Sequence, residues 1–176
     1  MPFDAQRALL TSLRAQASAF VSIDPHLPIT EETLPQWREA LVDADAFLPG
    51  EDELLLEGAQ ADPGRALSRL VNGRLRFVVL KRGARGGILY DAHHERFYSW
   101  APRTAAVVDQ TGAGDAFAVA LVLAYLEGLP IEGCLQRAVV TSSFALAGWG
   151  ADALLTASRE DAETRLRQWY GTEAQQ

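Results

Sequence analysis

The chain has 176 residues, 48% hydrophobic and 22% charged, with a net charge of −7. Its length and composition are those of one ordinary globular domain, residues 1–176, with a sizeable core. The acidity argues against nucleic acid or an anionic membrane as the main partner.

The start, Met1-Pro2-Phe3-Asp4, has neither a basic opening nor an apolar signal core, so no secretory signal is expected. Asp4 to Ala19 reads as a helix with Phe3, Leu9, Leu10 and Leu13 on its apolar side. Phe20 to Asp24 reads as a buried strand stopped by Pro25. Thr33 and Gln36 have the spacing of a capping box, followed by Leu34, Trp37 and Leu41 on one helical face. Ala46-Phe47-Leu48 is a short strand ended by Pro49-Gly50, and Glu51–Glu57 and Gly64–Val71 look helical. Phe77 to Leu80 is a strand that runs into a basic glycine loop, Lys81 to Gly87. Ile88–Tyr90 and Arg96–Trp100 form a strand pair turning at Ala92-His93-His94.

Ala113 to Glu127 is a helix apolar on every side, the pattern of a helix buried within a layered fold. Its apolar run, Ala116 to Leu126, falls short of the roughly 20 residues that cross a bilayer. Gly128 and Pro130 stop it and start a helix bearing Ile131, Cys134, Leu135, Ala138 and Val139 on one side. Cys134, the single cysteine, precludes an intramolecular disulfide, suits a reducing cytoplasm and reads as a core thiol. Ser158 and Asp161 cap a last helix with Ala162, Leu166, Trp169 and Tyr170 on its apolar side, and the tail from Gly171 reads as frayed. Alternating strands and helices indicate an α/β layered fold.

The chemistry concentrates at Gly112-Ala113-Gly114-Asp115, where a strand-like end meets the long apolar helix. No Lys-Ser/Thr follows the glycines, so this is not a Walker A loop. Phe117 stands where a dinucleotide fingerprint has its third glycine. What remains is a helix start offering unpaired N–H donors to an anion, with a carboxylate beside them. Such donors suit the charge that spreads over a moving phosphoryl group, and Asp115 can accept a proton from an attacking hydroxyl. A plain glycine turn with a dipole-favoured aspartate accounts for the same residues. Lys81, Arg82 and Arg85 bring positive charge to the other glycine loop, as phosphate ligands or as solvated charges. His93 and His94 lack metal-ligand spacing, and His26, Trp37, Trp100 and Trp169 read as structural residues.

The run Asp109 to Phe117 resembles the C-terminal signature of the ribokinase-like (PfkB-type) sugar kinases. Four more segments resemble that family in the same order. Asp24-Pro25-His26 resembles its Asp-Pro-Asn segment, and Ala44 to Leu54 the segment with its Asn-x-x-Glu motif. Val78 to Gly87 resembles its Thr-x-Gly nucleotide loop, and Ala147 to Ala151 the stretch closing its adenine pocket.

The resemblance implies a ribokinase-like layered fold, a central mostly parallel sheet flanked by helices, that is truncated at its N-terminal side and lacks the sugar-binding lid. It implies an ATP-dependent carbohydrate kinase, here its C-terminal, nucleotide-binding half. Asp115 would be the base, and Gly112, Ala113 and Gly114 the anion hole. Lys81, Gly83, Arg85, Gly86, Glu53, Val139 and Trp149 would serve ATP, with Glu53 acting through Mg2+ and water. Asp109, Thr111, Ala145, Gly148 and Gly150 would border a monovalent cation such as K+.

The departures are specific. Gly50 replaces the motif asparagine, Lys81 replaces the loop threonine, and the sugar-gripping segments are not among these residues. A sugar would therefore bind only with a complementary half, and the isolated chain is expected to be inactive. The strand Phe20–Ile23 would be left as a bare edge, which calls for a homo-oligomer or pairing with an N-terminal half. The alternative is a non-catalytic kinase remnant that senses nucleotide or binds another protein.

Overall fold

The computed structural model describes residues 3–16, 19–103, 107–150 and 152–171. In chain order the elements are α1 (Phe3–Gln16), β1 (Ser22–Ile23), α2 (Leu34–Ala40), β2 (Ala46–Phe47), α3 (Pro63–Leu70), β3 (Phe77–Lys81), β4 (Gly87–Asp91), β5 (Arg96–Trp100), α4 (Ala113–Leu126), α5 (Ile131–Ala145), α6 (Asp152–Thr156) and α7 (Arg159–Tyr170). They divide into two compact units, residues 1–83 with 87–99, and residues 84–86 with 100–176.

The first unit is a five-stranded sheet in the order β1-β2-β3-β4-β5 with α1, α2 and α3. β1 and β2, and β2 and β3, run parallel, and β4 returns antiparallel to β3 with Val79 opposite Leu89. Four consecutive residues of β3, Phe77 to Leu80, are buried, which is why this strand reads as an unbroken apolar run. Phe47, Leu67, Leu70 and Val78 are fully buried, and the Trp37 ring lies 5.3 Å from Phe47. The Asp62 carboxylate accepts the Arg65 N–H at 2.9 Å and so caps α3. Buried Asp45 accepts the Val21 N–H at 2.8 Å and pairs with Arg14, tying the entry of β1 to the entry of β2.

The second unit is helical. α4 and α5 are joined by a tight turn in which Gly128 takes φ +84°. Cys134, Leu135, Ala138 and Val139 face the interior, as their spacing predicts. Burial pushes the Cys134 thiol up to about 11, the signature of an unreactive core cysteine. The capping box of α7 forms, with the Ser158 hydroxyl accepting the Asp161 N–H and the Asp161 carboxylate accepting the Ser158 N–H. Among the described residues no helix is long and apolar enough to cross a membrane.

Several local expectations are corrected. The strand at Phe20–Asp24 shrinks to two residues at the sheet edge, with Ser22 exposed and Ile23 half-buried. Helix α1 is described over Phe3–Gln16 and does not include Ala19, and Leu9 is exposed. The Thr33–Gln36 capping box does not form: Thr33 is itself helical, and its hydroxyl accepts the Thr30 N–H and donates to the Pro28 carbonyl. Glu51–Glu57 is a turn followed by extended chain, because Leu54 pairs with Ile29; Leu54 and Leu56 are buried while Leu55 is exposed. α4 buries Ala116, Phe117, Leu121 and Ala124 but exposes Val119, Leu123 and Leu126, so it is apolar all round yet covered on one side. The short helix α6 has no counterpart in the sequence reading. The frayed tail lies, beyond Gly171, outside the described residues.

Candidate active site

In the first unit, chemistry gathers where β1, β2 and β3 end. Asp24 follows β1, Gly50 lies just past β2, and Lys81 closes β3. Gly50 and Lys81 form a parallel bridge: the Lys81 N–H donates to the Pro49 carbonyl, and the Glu51 N–H to the Lys81 carbonyl, each at 2.9 Å. The carboxyl ends of parallel strands are where open α/β sheets bind ligands.

The turn after β2 folds back on itself. The Gly50 N–H donates to Glu53 Oε2 at 2.6 Å, fixing that carboxylate over the strand ends. Burial pushes the Glu53 carboxyl up, against the opposing pull of this N–H; Asp24 and Asp52 add to the rise and Lys81 opposes it. A side chain at Gly50 would begin 2.7 Å from Asp52 Oδ1 and 3.3 Å from Glu53 Oε2. This turn therefore uses the Gly50 backbone to orient Glu53.

Lys81 is an ion-pair partner of Asp24, with the two side chains 17% and 26% exposed. It is thus not a freely solvated loop charge. The neighbouring Arg82 has its Nε shut away from solvent with no acceptor among the described residues. Gly83 takes φ +49° with open space where a side chain would stand.

In the second unit, Gly112 precedes α4 with φ +77° and open space around its Cα. A β-carbon is disfavoured in this left-handed conformation, which accounts for the first glycine of the turn. Among the described residues no side chain caps α4. The Ala113 N–H donates to the Gln110 carbonyl and that of Ala116 to the Gly112 carbonyl, leaving those of Gly114 and Asp115 without an acceptor among the described residues. Asp115 is exposed in the first turn. Acceptor-less N–H groups and a carboxylate thus stand together at the start of α4.

Asp109 braces this turn. Its Oδ1 accepts the Thr111 N–H at 3.0 Å and the Thr111 hydroxyl at 2.9 Å, and its Oδ2 accepts the Gly150 N–H at 2.9 Å. The Gly150 and Thr111 donors hold the Asp109 carboxyl below the usual aspartate range. The Val108 N–H donates to the Leu146 carbonyl at 2.8 Å, so the loop after α5 and the approach to α4 are joined twice. Ala145 is buried at the end of α5, and Gly148 packs so closely that a β-carbon there would meet that of Ala153 at 2.7 Å.

The remaining candidates divide. Gly86 is buried with φ +75°, and the place of its β-carbon is filled by the Trp100 carbonyl oxygen at 2.0 Å, so close backbone packing requires this glycine. Arg85 is exposed, Val139 is buried, and Trp149 is 73% exposed.

A family model described as pfkB family carbohydrate kinase matches residues 4–157. The chain belongs to the pfkB family. Among its relatives, a cytidine kinase of Thermococcus kodakarensis is 28% identical over 153 residues, covering 85% of this chain and 54% of that one. An acarbose 7(IV)-phosphotransferase of an Actinoplanes species is 33% identical over 125 residues, covering 68% and 42%. A candidate ribokinase II from E. coli, solved in complex with ATP and Mg2+, superposes with a TM-score of 0.71 at 25% identity, covering 94% of this chain and 54% of that one. The chain thus has the ribokinase-like α/β fold and spans about half the length of the pfkB relatives it matches.

Two features of this pfkB chain escaped sequence reasoning. One is the Asp24–Lys81 pair, for which position alone gave a hint, since Asp24 directly follows β1. The other is the hairpin turn, where the Asp91 carboxylate accepts the His93 and His94 N–H groups and meets His94 Nδ1 at 2.7 Å. His94 thus has a structural partner.

Proposed function

We propose that this chain supplies the ATP-handling half of a kinase that moves the γ-phosphoryl group of ATP to a hydroxyl of a sugar, free or within a nucleoside. The acceptor site would come from sequence outside these 176 residues. The observation that carries this reading is the start of α4: Gly112 in the left-handed conformation, uncapped N–H groups at Gly114 and Asp115, and the exposed Asp115 carboxylate.

In this reading Asp115 takes the proton as the acceptor oxygen bonds to the γ-phosphorus and the bond to the bridging oxygen breaks, releasing ADP. The N–H groups of Gly114 and Asp115 meet the charge that develops on the transferring group. Lys81, Gly83, Arg85, Gly86, Val139 and Trp149 would serve the nucleotide. The open space at Gly83 leaves room for a phosphate-bearing ligand. Glu53, oriented by Gly50, would hold Mg2+ through water, and the metal would offset phosphate charge. K+ would sit beside Asp109, Thr111 and the chain at Ala145, Gly148 and Gly150, where Asp109 Oδ2 accepts one N–H and keeps a lone pair. A strand from a second copy or from the complementary half would cover β1, whose single partner among the described strands is β2.

The test is a calorimetric titration with Mg-ATP, followed by coupled ADP release against a panel of sugars and nucleosides. No heat at millimolar Mg-ATP would overturn the reading, and transfer by these residues unaided would remove the need for an outside acceptor site. Gly50 and the Asp24–Lys81 pair favour one competing reading, a nucleotide sensor without transfer. Saturable ATP binding that persists without turnover when the acceptor part is present would select it.

A further inference from the structure

We infer that Lys81 and Asp24 form a phosphate latch, in which Asp24 holds the Lys81 ammonium until a triphosphate takes it over. This rests on the reading of the chain as an ATP-handling half.

The placement comes first. Asp24, Gly50, Glu53 and Lys81 belong to one unit and meet at the carboxyl ends of β1, β2 and β3. Three carboxylates, Asp24, Asp52 and Glu53, act on this spot, and a triphosphate approaching them alone would be repelled. Lys81 is the cation in contact with Asp24 there, and both side chains keep some access to solvent.

Chemistry makes the pair exchangeable. A lysine ammonium is a compact charge with three donors on a flexible stem, so it changes partners without the geometric loss that a bidentate arginine suffers. A carboxylate offers one negative charge and two oxygens. A triphosphate offers several charges and many oxygens, so a partly exposed Lys–Asp pair, weak in itself, yields to it. The Lys81 backbone does not move in this exchange, because its N–H and carbonyl are bonded to Pro49 and Glu51.

The latch separates from simple charge repulsion in a double-mutant cycle. Repulsion would let Asp24→Asn strengthen anion binding equally with or without Lys81. A latch makes the gain depend on Lys81, because what Asp24 costs is the breaking of the pair.

Calorimetry with Mg-ATP, and separately with inorganic tripolyphosphate, on the wild type, Asp24→Asn, Lys81→Met and the double variant tests this. We expect Asp24→Asn to tighten both ligands by roughly three- to tenfold and Lys81→Met to weaken both by about tenfold. In the Lys81→Met background, Asp24→Asn should change affinity less than twofold. Should either variant lose its wild-type melting transition, Asp24→Ser or Lys81→Thr takes its place in the cycle. An equal gain from Asp24→Asn in both backgrounds overturns the latch, as does wild-type affinity in Lys81→Met, and in either case the ATP reading stands if the wild type binds. Absence of binding by both the wild type and Asp24→Asn overturns the latch and the ATP reading together.

Discussion

The strand ends of the first unit and the helix start of the second handle charge by opposite means. At the strand ends, charge resides on side chains: Lys81 is held by the Asp24 carboxylate, and Glu53 by the Gly50 backbone N–H. At the start of α4 it resides on the backbone, with unpaired N–H groups and a glycine conformation doing what side chains do elsewhere. Side-chain charge is tuned by substitution, whereas backbone charge is preset by the fold and is lost only when the turn is lost.

The largest expected effect breaks the contrast at its one side-chain member. With the acceptor-binding part present, Asp115→Asn should lower sugar phosphorylation by about 10^2- to 10^4-fold, the range attributed to general bases. Mg-ATP affinity should stay near wild type, because the N–H donors are untouched. Coupled ADP release together with calorimetry measures both, and activity within tenfold of wild type would remove Asp115 from the role of base.

Next comes the core beneath the strand ends. Phe47 is fully buried on β2 and packs on Trp37, so Phe47→Ala should cost about 3–5 kcal/mol in urea unfolding. A cost below about 1 kcal/mol would mean that the strand ends do not rely on this packing.

The two regions also differ in how far the sequence reveals them. The α4 turn is legible because its requirements are local: a glycine at positive φ, a helix start, and an acid in the first turn. The same holds for the Ser158–Asp161 cap, whose partners lie three residues apart. The strand ends depend on contacts that spacing does not encode. Glu51–Glu57 reads as helical until Leu54 is drawn out to pair with Ile29, and Thr33 loses its cap to Thr30 and Pro28. Lys81 meets Asp24 across 57 positions, so its loop setting alone misrepresents it as a solvated charge. The exposed face of α4 is missed for a related reason, since composition tells that a helix is apolar but not which side is covered.

Two glycines sharpen the distinction between backbone held by packing and backbone that faces open space. Gly112→Ala meets open space and carries only the cost of φ +77°, about 1–2 kcal/mol. Gly86→Ala meets the Trp100 carbonyl at 2.0 Å as well as φ +75°, and should destabilise by clearly more. In urea unfolding the ranking should be Gly86→Ala below Gly112→Ala, with Gly112→Ala the more harmful to Mg-ATP binding per unit of stability lost. The reverse order in either measurement would mean that the roles of the two loops have been exchanged.

The smallest effect tests the contrast by titration, because the two regions move their carboxyls in opposite directions. Burial raises Glu53, whereas donors from Gly150 and Thr111 lower Asp109. Carboxyl-carbon NMR, assigned with Glu53→Gln and Asp109→Asn, should find Glu53 titrating above ordinary glutamate and Asp109 below ordinary aspartate. The stability consequences then carry opposite signs. For Asp109 the folded form holds its proton less tightly than the unfolded one, so its contribution is present above the unfolded value near 3.9 and is lost as pH falls through the folded one. For Glu53 the folded form holds its proton more tightly, so its contribution is full below the unfolded value near 4.3 and disappears as pH rises through the folded one. Asp109→Asn should therefore lose its penalty toward acid, while Glu53→Gln should gain in relative stability as pH rises from acid to neutral. If both carboxyls shift the same way, burial at the strand ends and hydrogen bonding at the helix start are not the separate devices that their geometry indicates.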